Sequence, residues 1–224
     1  MGLFISLTLI IIWFLHLMFI LFYVNPNYNY FLTALHTLLQ GYLYTGLFIT
    51  AHDAMHLTVS KNRKLNNVIG KISCFLFAGL SYSKLLKNHK LHHKYPGTEK
   101  DPDFYEKSQN FFIWWFMFLK RYATILQIVI MAIVFNLLKI WFDELKIWLF
   151  WVIPAILGTL QLFYFGTYVT HKYPHTDEMK PHNARTLKKN HFWAMISCYF
   201  FGYHYEHHAS PGIPWWKLYL TKKL

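Results

Sequence analysis

Charge is missing from the start of this 224-residue chain: no lysine, arginine, aspartate or glutamate occurs between Met1 and His52. A soluble domain does not leave that much surface without charge. Two runs within this stretch, Leu3–Val24 and Tyr30–Ala51, are each long enough to cross a hydrocarbon core of ~30 Å. Asn25-Pro26-Asn27-Tyr28-Asn29 reads as the hairpin loop between them. The first run has no basic leader, is too apolar for too long, and lacks a small-residue cleavage site, so it reads as a retained span. Cysteine is scarce too, at two residues. Cys74 and Cys198 sit in apolar contexts, which excludes a disulfide framework and suggests buried, inert thiols.

Acidic residues number only 10 against 22 lysines and arginines, a net charge of +12. Nucleic-acid binding is nonetheless excluded by the uncharged first 52 residues. The basic residues fall in Lys61–Lys107, Lys172–Lys189 and Lys217–Lys223, which alternate with apolar segments. The loops between are Asn25–Asn29, uncharged, and Lys139–Lys146, where Asp143 and Glu144 offset two lysines. This asymmetry is the positive-inside pattern and puts the basic stretches and both termini in the cytoplasm. Further spans are expected at Ile147–Val169 and from about Tyr122 to Leu138, with Phe111–Leu119 at the interface and Trp114 and Trp115 as headgroup-level aromatics. Val68–Tyr82 and Phe192–Tyr203 are too short to span and suit interfacial or buried helices. The expected fold is an all-α integral membrane protein. It has four transmembrane helices and a cytoplasmic helical cap, forming one domain over residues 1–224.

Against this background stand fourteen histidines, eight of them in three clusters: His52-Asp-Ala-Met-His56, His89-Lys-Leu-His92-His93 and His204-Tyr-Glu-His207-His208. Positions i, i+3 and i+4 share a helix face, so each cluster offers two or three convergent imidazoles. Since imidazole is the commonest protein metal ligand and a single Zn²⁺ takes about four ligands, eight imply two metal ions. The first cluster sits where a span emerges. Ile147–Val169 ends just before His171, which reads as a ninth ligand. His175 follows the helix-breaking Pro174 and is left open. His16 is expected to hydrogen-bond within the bundle. His36, ~24 Å along a helix from His52, cannot share its site, and His182 and His191 read as loop or interface residues. Asp53, Asp101, Asp103 and Glu206 are the carboxylates able to orient ligand imidazoles, Asp101 and Asp103 equally able to cap the following helix. Soluble di-iron bundles use glutamate ligands that this chain lacks, so the residues alone reach only a histidine-rich dinuclear transition-metal site. A transporter would place its ligands at mid-membrane; clusters at span ends favour catalysis.

The three clusters resemble the histidine boxes of the membrane fatty-acid desaturase/hydroxylase superfamily of non-haem di-iron oxygenases. Longer strings resemble bacterial β-carotene ketolases more narrowly. These are His52-Asp-Ala-Met-His56; His89 through Thr98 with Asp101-Pro-Asp-Phe104; Phe163-Tyr-Phe-Gly-Thr-Tyr168 running to His171; and Tyr203 through His208 with Pro214-Trp-Trp216. The likeness runs from about Gly41 to the C-terminus, with two departures: Leu57 stands where the family usually has glycine, and the first span carries no matching motif. The resemblance implies two Fe ions held by the nine histidines, O₂ as oxidant and a separate electron donor such as ferredoxin, since no haem or flavin module is expected in the chain. It implies β-carotene as substrate, its ring C4 twice hydroxylated and dehydrated to a ketone, giving echinenone and canthaxanthin. It also implies a multi-pass place in a bacterial inner membrane with the boxes facing the cytoplasm. A carotenoid hydroxylase or acyl-lipid desaturase of the same superfamily is the alternative reading.

Overall fold

The computed structural model describes residues 1–222, which form helices and turns with no strand among them. Helix α1 (Gly2–Tyr23) is apolar throughout and stops before the Asn25-Pro26 break. Helix α2 (Tyr30–Met55) begins where the Asn29 side chain accepts from the Leu32 N–H, an N-cap that terminates the loop. At 26 residues it is about 39 Å long.

Side-chain caps also dictate where the chain bends. Helix α3 (Arg63–Ala78) starts on the Asn62 cap and ends at Gly79, whose φ of 65° stops the helix at little steric cost. Ser81 then caps α4 (Tyr82–Lys94), which leaves α3 at 103°. Asn110 caps α5 (Phe111–Tyr122), and after an extended Ala123 the Thr124 hydroxyl caps α6 (Ile125–Leu138), a 91° bend. The long helix α7 (Glu144–His171) contains two π-helical segments. One, Trp148–Val152, ends two residues before Pro154, whose missing N–H breaks the regular ladder; the other, Tyr164–Tyr168, lies one turn before His171. Short helices α8 (His191–Cys198) and α9 (His204–Ala209) and a 3₁₀ turn at Trp215–Thr221 follow.

Helix α2 is the centre of the bundle. Trp13 of α1 meets the Tyr44 ring edge-on at 5.3 Å, and Phe77 of α3 meets it from another side at 5.7 Å. Helix α7 approaches at glycines: a Cβ on Gly41 would lie 3.1 Å from Leu157, and one on Gly158 3.1 Å from the Tyr44 Cβ. Small residues at a crossing let helices approach closely, the packing membrane bundles favour. Thr45 and Gln161 hydrogen-bond across the same contact at 2.5 Å.

Two helices, Gly2–Tyr23 and Glu144–His171, are each long and apolar enough to cross a membrane, and up to four segments qualify if each bent pair counts as one span. Helix α2 is not in that set. Its thirteen-odd polar and small residues lower its hydropathy, and many of them, Gln40, Thr45 and Thr50 included, are buried against neighbouring helices. Exposed Phe4, Ile11, Phe14 and Leu15 on α1 and Ile125, Ile128 and Ile133 on α6 form an apolar exterior. The two ends of the bundle differ. Gly2 abuts the carbonyls of Thr58 and Val59, just past the first histidine box. At the other end Lys146 donates to the Leu21 carbonyl, and the two weakly charged loops meet there.

Trp114 departs from expectation. It is buried rather than at a headgroup level, packs edge-on against Phe104, and donates its indole N–H to the Asp103 carbonyl at 2.8 Å. A buried tryptophan needs such a partner, and the acceptor comes from a loop that sequence periodicity does not locate.

Candidate metal centre

Four elements deliver imidazoles to one end of the bundle. The last turn of α2 brings His52 and His56; α4 brings His89, His92 and His93; the end of α7 brings His171; α9 brings His204, His207 and His208. They sort into two groups whose nitrogens all lie within 4.8 Å of one another: His52, His56, His89, His93 and His207 in one, His92, His171, His204 and His208 in the other. The groups abut, since the His93 and His208 rings stack at 4.3 Å.

The nitrogen geometry is that of ligands rather than of a hydrogen-bonded cluster. His207 Nε2 lies 3.1 Å from His52 Nε2 and 3.0 Å from His93 Nε2, and His56 Nε2 lies 2.6 Å from His89 Nε2. His208 Nε2 lies 3.1 Å from both His92 Nε2 and His204 Nε2. A neutral imidazole carries one N–H and one bare nitrogen, so one ring nitrogen cannot satisfy two others at once. Two nitrogens at right angles on a metal with ~2.1 Å bonds lie about 3 Å apart, which matches the observed spacing. His171 adds an independent sign: its Nδ1 donates to the Asn183 carbonyl at 2.8 Å, leaving a buried Nε2 with no partner. The residues fit a pair of metal ions.

Electrostatics agrees. Burial first, and then the neighbouring imidazoles, push His93 down to about 2 and His56 to about 4, and hold His89, His204, His207 and His208 well below the ordinary histidine value. These rings stay neutral, the form that binds metal. For His92, burial also acts downward but the Asp101 carboxylate outweighs it, with help from Asp103, and the ring rises to about 9. The Asp101 oxygens lie 2.9 and 3.0 Å from His92 Nδ1 and also accept the N–H groups of Gly97 and Asp103. This is the carboxylate–histidine arrangement that fixes a ligand ring and raises its basicity.

The other three carboxylates sit differently. Asp53 lies 3.8 Å from His52 Nδ1, beyond hydrogen-bond reach, and accepts the Trp215 N–H at 3.3 Å, tying α2 to the C-terminal turn. Glu206 accepts from Lys222 and Thr186 rather than from an imidazole. The structure therefore gives neither one an imidazole to orient, because the pitch of α2 and α9 turns their carboxylates away from their neighbours' rings. Asp103 hydrogen-bonds the Tyr122 hydroxyl, and burial raises its carboxyl to about 6. Neither Asp101 nor Asp103 caps α5, which Asn110 caps instead. His175 lies outside both groups and contacts the His171 carbonyl at 2.8 Å; His182 also lies outside. His16 pairs with Gln40 at 2.5 Å and with His36 at 3.1 Å, a polar cluster inside the bundle and apart from the site. Cys74 and Cys198 are buried and unbonded.

Sequence reasoning missed Asn183, whose contribution is a backbone carbonyl, and Phe201, whose ring packs 4.9 Å from His52 and 5.4 Å from His204. Neither carries a chemical signature in the sequence. Beneath the imidazoles lies a mostly apolar cavity of about 270 Å³. Phe48, Phe77, Phe118 and Leu162 line it, His52, His89, His92 and His204 form its polar end, and Asp103 and Tyr122 share its wall.

The sequence pattern of the fatty acid desaturase family matches residues 29–135 and 119–223. A β-carotene ketolase from Paracoccus sp. strain PC1 is 38% identical over 185 residues, covering 81% of this chain and 76% of the relative. A zeaxanthin 4-ketolase from Chlamydomonas reinhardtii is 40% identical over 182 residues, covering 79% of this chain and 41% of that longer protein. A dihydrorhizobitoxine desaturase from Bradyrhizobium elkanii is 27% identical over 244 residues, covering 88% of this chain and 68% of the relative. No solved structure matches the chain.

Proposed function

The chain belongs to the fatty acid desaturase family, and on that premise we propose that it is an oxygenase converting the C4 methylene of carotenoid β-ionone rings to a ketone. The observation that carries the reading is the shared wall: four ligand-type imidazoles close one end of an apolar cavity. The ketolase relatives supply the substrate class. Binding pockets for drug-sized ligands run about 300–1,000 Å³, so this cavity suits one ring of a long polyene, the remainder lying outside it.

The nine histidines would hold two Fe ions, His52, His56, His89, His93 and His207 around one and His92, His171, His204 and His208 around the other. When bound, that pair supplies reductive activation of O₂ for attack on an aliphatic C–H bond. The rest is the work of this chain's side chains. Phe48, Phe77, Phe118 and Leu162 exclude water and hold the ring with its C4 edge toward the imidazole end, so that orientation selects the carbon. Asp101 keeps His92 in one ring orientation. The Tyr122 hydroxyl donates to Asp103, and the pair offers acceptor oxygens to a hydroxyl introduced at C4. Two hydroxylations at one carbon give a gem-diol, which loses water to the ketone. For topology we infer four spans, α1, α2, α6 and α7, with the histidine end and the basic stretches on the cytoplasmic side of a bacterial inner membrane, consistent with the charge asymmetry between the two ends.

The test is expression in cells that accumulate β-carotene, followed by pigment analysis. Echinenone and canthaxanthin are expected. Products hydroxylated only at C3 would move the chain to the hydroxylases, and no conversion by well-expressed protein would reject the ketolase reading.

A further inference from the structure

Helix α4 has two faces with different chemistry. At 100° per residue, His89, His92 and His93 lie on one side and Lys87, Lys90 and Lys94 on the other. The histidine face turns toward the end of α2: the His89 ring lies 4.6 Å from His52 and 4.7 Å from His56. The lysine face therefore points away from the bundle, and all three lysines are exposed. Exposed Lys100 extends it, since Lys94 and Lys100 flank the Tyr95 ring, their ammonium groups 5.0 and 5.6 Å from its centroid. Between Ser83 and Lys100 the one acidic residue is Glu99, and none of these four lysines forms an ion pair with a carboxylate among the described residues.

Uncompensated charge of one sign on a single face steers oppositely charged partners. The chemistry under Proposed function needs such a partner. Each hydroxylation, R–CH₂ + O₂ + 2 e⁻ + 2 H⁺ → R–CHOH + H₂O, takes two electrons from the C–H bond and two from an outside reductant. An α-helix with its side chains is about 10–12 Å across, so a carrier resting on the lysine face lies about one helix width from the imidazoles of His89 and His93. We propose that Lys87, Lys90, Lys94 and Lys100 form the docking surface for an acidic one-electron carrier protein that reduces the metal centre. The need for an outside reductant favours a soluble carrier over lipid headgroups as the partner of this face. The docking role rests on the oxygenase reading; the geometry of the face does not.

The test uses the full chain, iron-loaded, in phosphatidylcholine nanodiscs, with a plant-type [2Fe–2S] ferredoxin as the acidic probe. Two readouts are taken: ferredoxin binding at low salt, and β-carotene turnover driven either by reduced ferredoxin or by dithionite. The triple variant K87E/K90E/K94E should weaken binding and raise the ferredoxin KM by about tenfold or more, flatten the salt dependence, and leave dithionite-driven turnover unchanged. The milder K87Q/K90Q/K94Q should move both in the same direction by less. Unchanged binding and KM in the charge-reversed variant would overturn the proposal. So would a defect seen only when phosphatidylglycerol is added to the nanodiscs, which would make this a lipid-contact face. Dithionite-driven turnover by the wild type tests the oxygenase reading separately, and the binding measurement stands without it.

Discussion

The Asp101 carboxylate grips His92 at Nδ1, 2.9 Å away, and both groups are buried. A ring held this way presents Nε2 to the second histidine group in one orientation and with raised basicity. Asp101→Asn keeps an acceptor but removes the charge. It should cut iron content and ketone formation by about 10–100-fold, with Asp101→Ala at or beyond the lower end. Iron per chain and 4-keto product are the readouts, and wild-type values in both variants would remove Asp101 from the centre.

His207 is the imidazole that two others of its group approach, His52 and His93. His207→Ala and His93→Ala should abolish turnover and lower bound iron, while His16→Ala keeps most activity. Box variants that retain the full iron content would refute the ligand assignment.

The His16–Gln40–His36 cluster joins α1 to α2. Interhelical polar contacts in membranes average ~0.6 kcal/mol and reach about 1–2 kcal/mol. Gln40→Leu should therefore lower thermal stability in detergent by a few degrees with product composition unchanged. A changed keto-to-hydroxy ratio would show instead that the cluster communicates with the site.

Gly166 leaves room for Phe201: a Cβ there would sit 2.2 Å from the Phe201 ring. Because that ring packs on His52 and His204, Gly166→Ala should cost about 1–3 kcal/mol of stability and depress turnover as well. A melting curve and a pigment assay check the two effects together; a stable, fully active alanine variant would mean the π-helical segment shifts freely.

Asp103 and Tyr122 face the cavity as a hydrogen-bonded pair. If they receive the oxygen added at C4, Tyr122→Phe should slow the second hydroxylation more than the first. The 4-hydroxy intermediate would then accumulate several-fold relative to the ketone in pigment extracts. An equal slowing of both steps would assign the pair to general packing.

Much of the centre is legible in the sequence because helical periodicity is local. His52 with His56, and His204 with His207 and His208, must share faces once their segments are helical. The expectation that the ends of apolar segments converge also brought in His171. What spacing could not supply was the partition. His52 meets His207 across 155 residues and His92 meets His208 across 116, and such pairings exist only after the helices have packed.

The same distinction separates the carboxylates. Position inside a box made Asp53 and Glu206 look equal or superior to Asp101, yet helix pitch turns the first two away while the loop after α4 folds Asp101 back onto His92. Trp114, apolar and near a predicted interface, is buried because a loop carbonyl reaches its indole. The sequence by itself determined an all-helical chain, apolar segments with basic residues gathered at one end and little net charge at the other, and histidines in facing sets. The tertiary structure alone decided how the imidazoles divide into two groups, which carboxylate hydrogen-bonds one of them, and that an apolar cavity opens onto the cluster, because each of these depends on contacts between helices far apart along the chain.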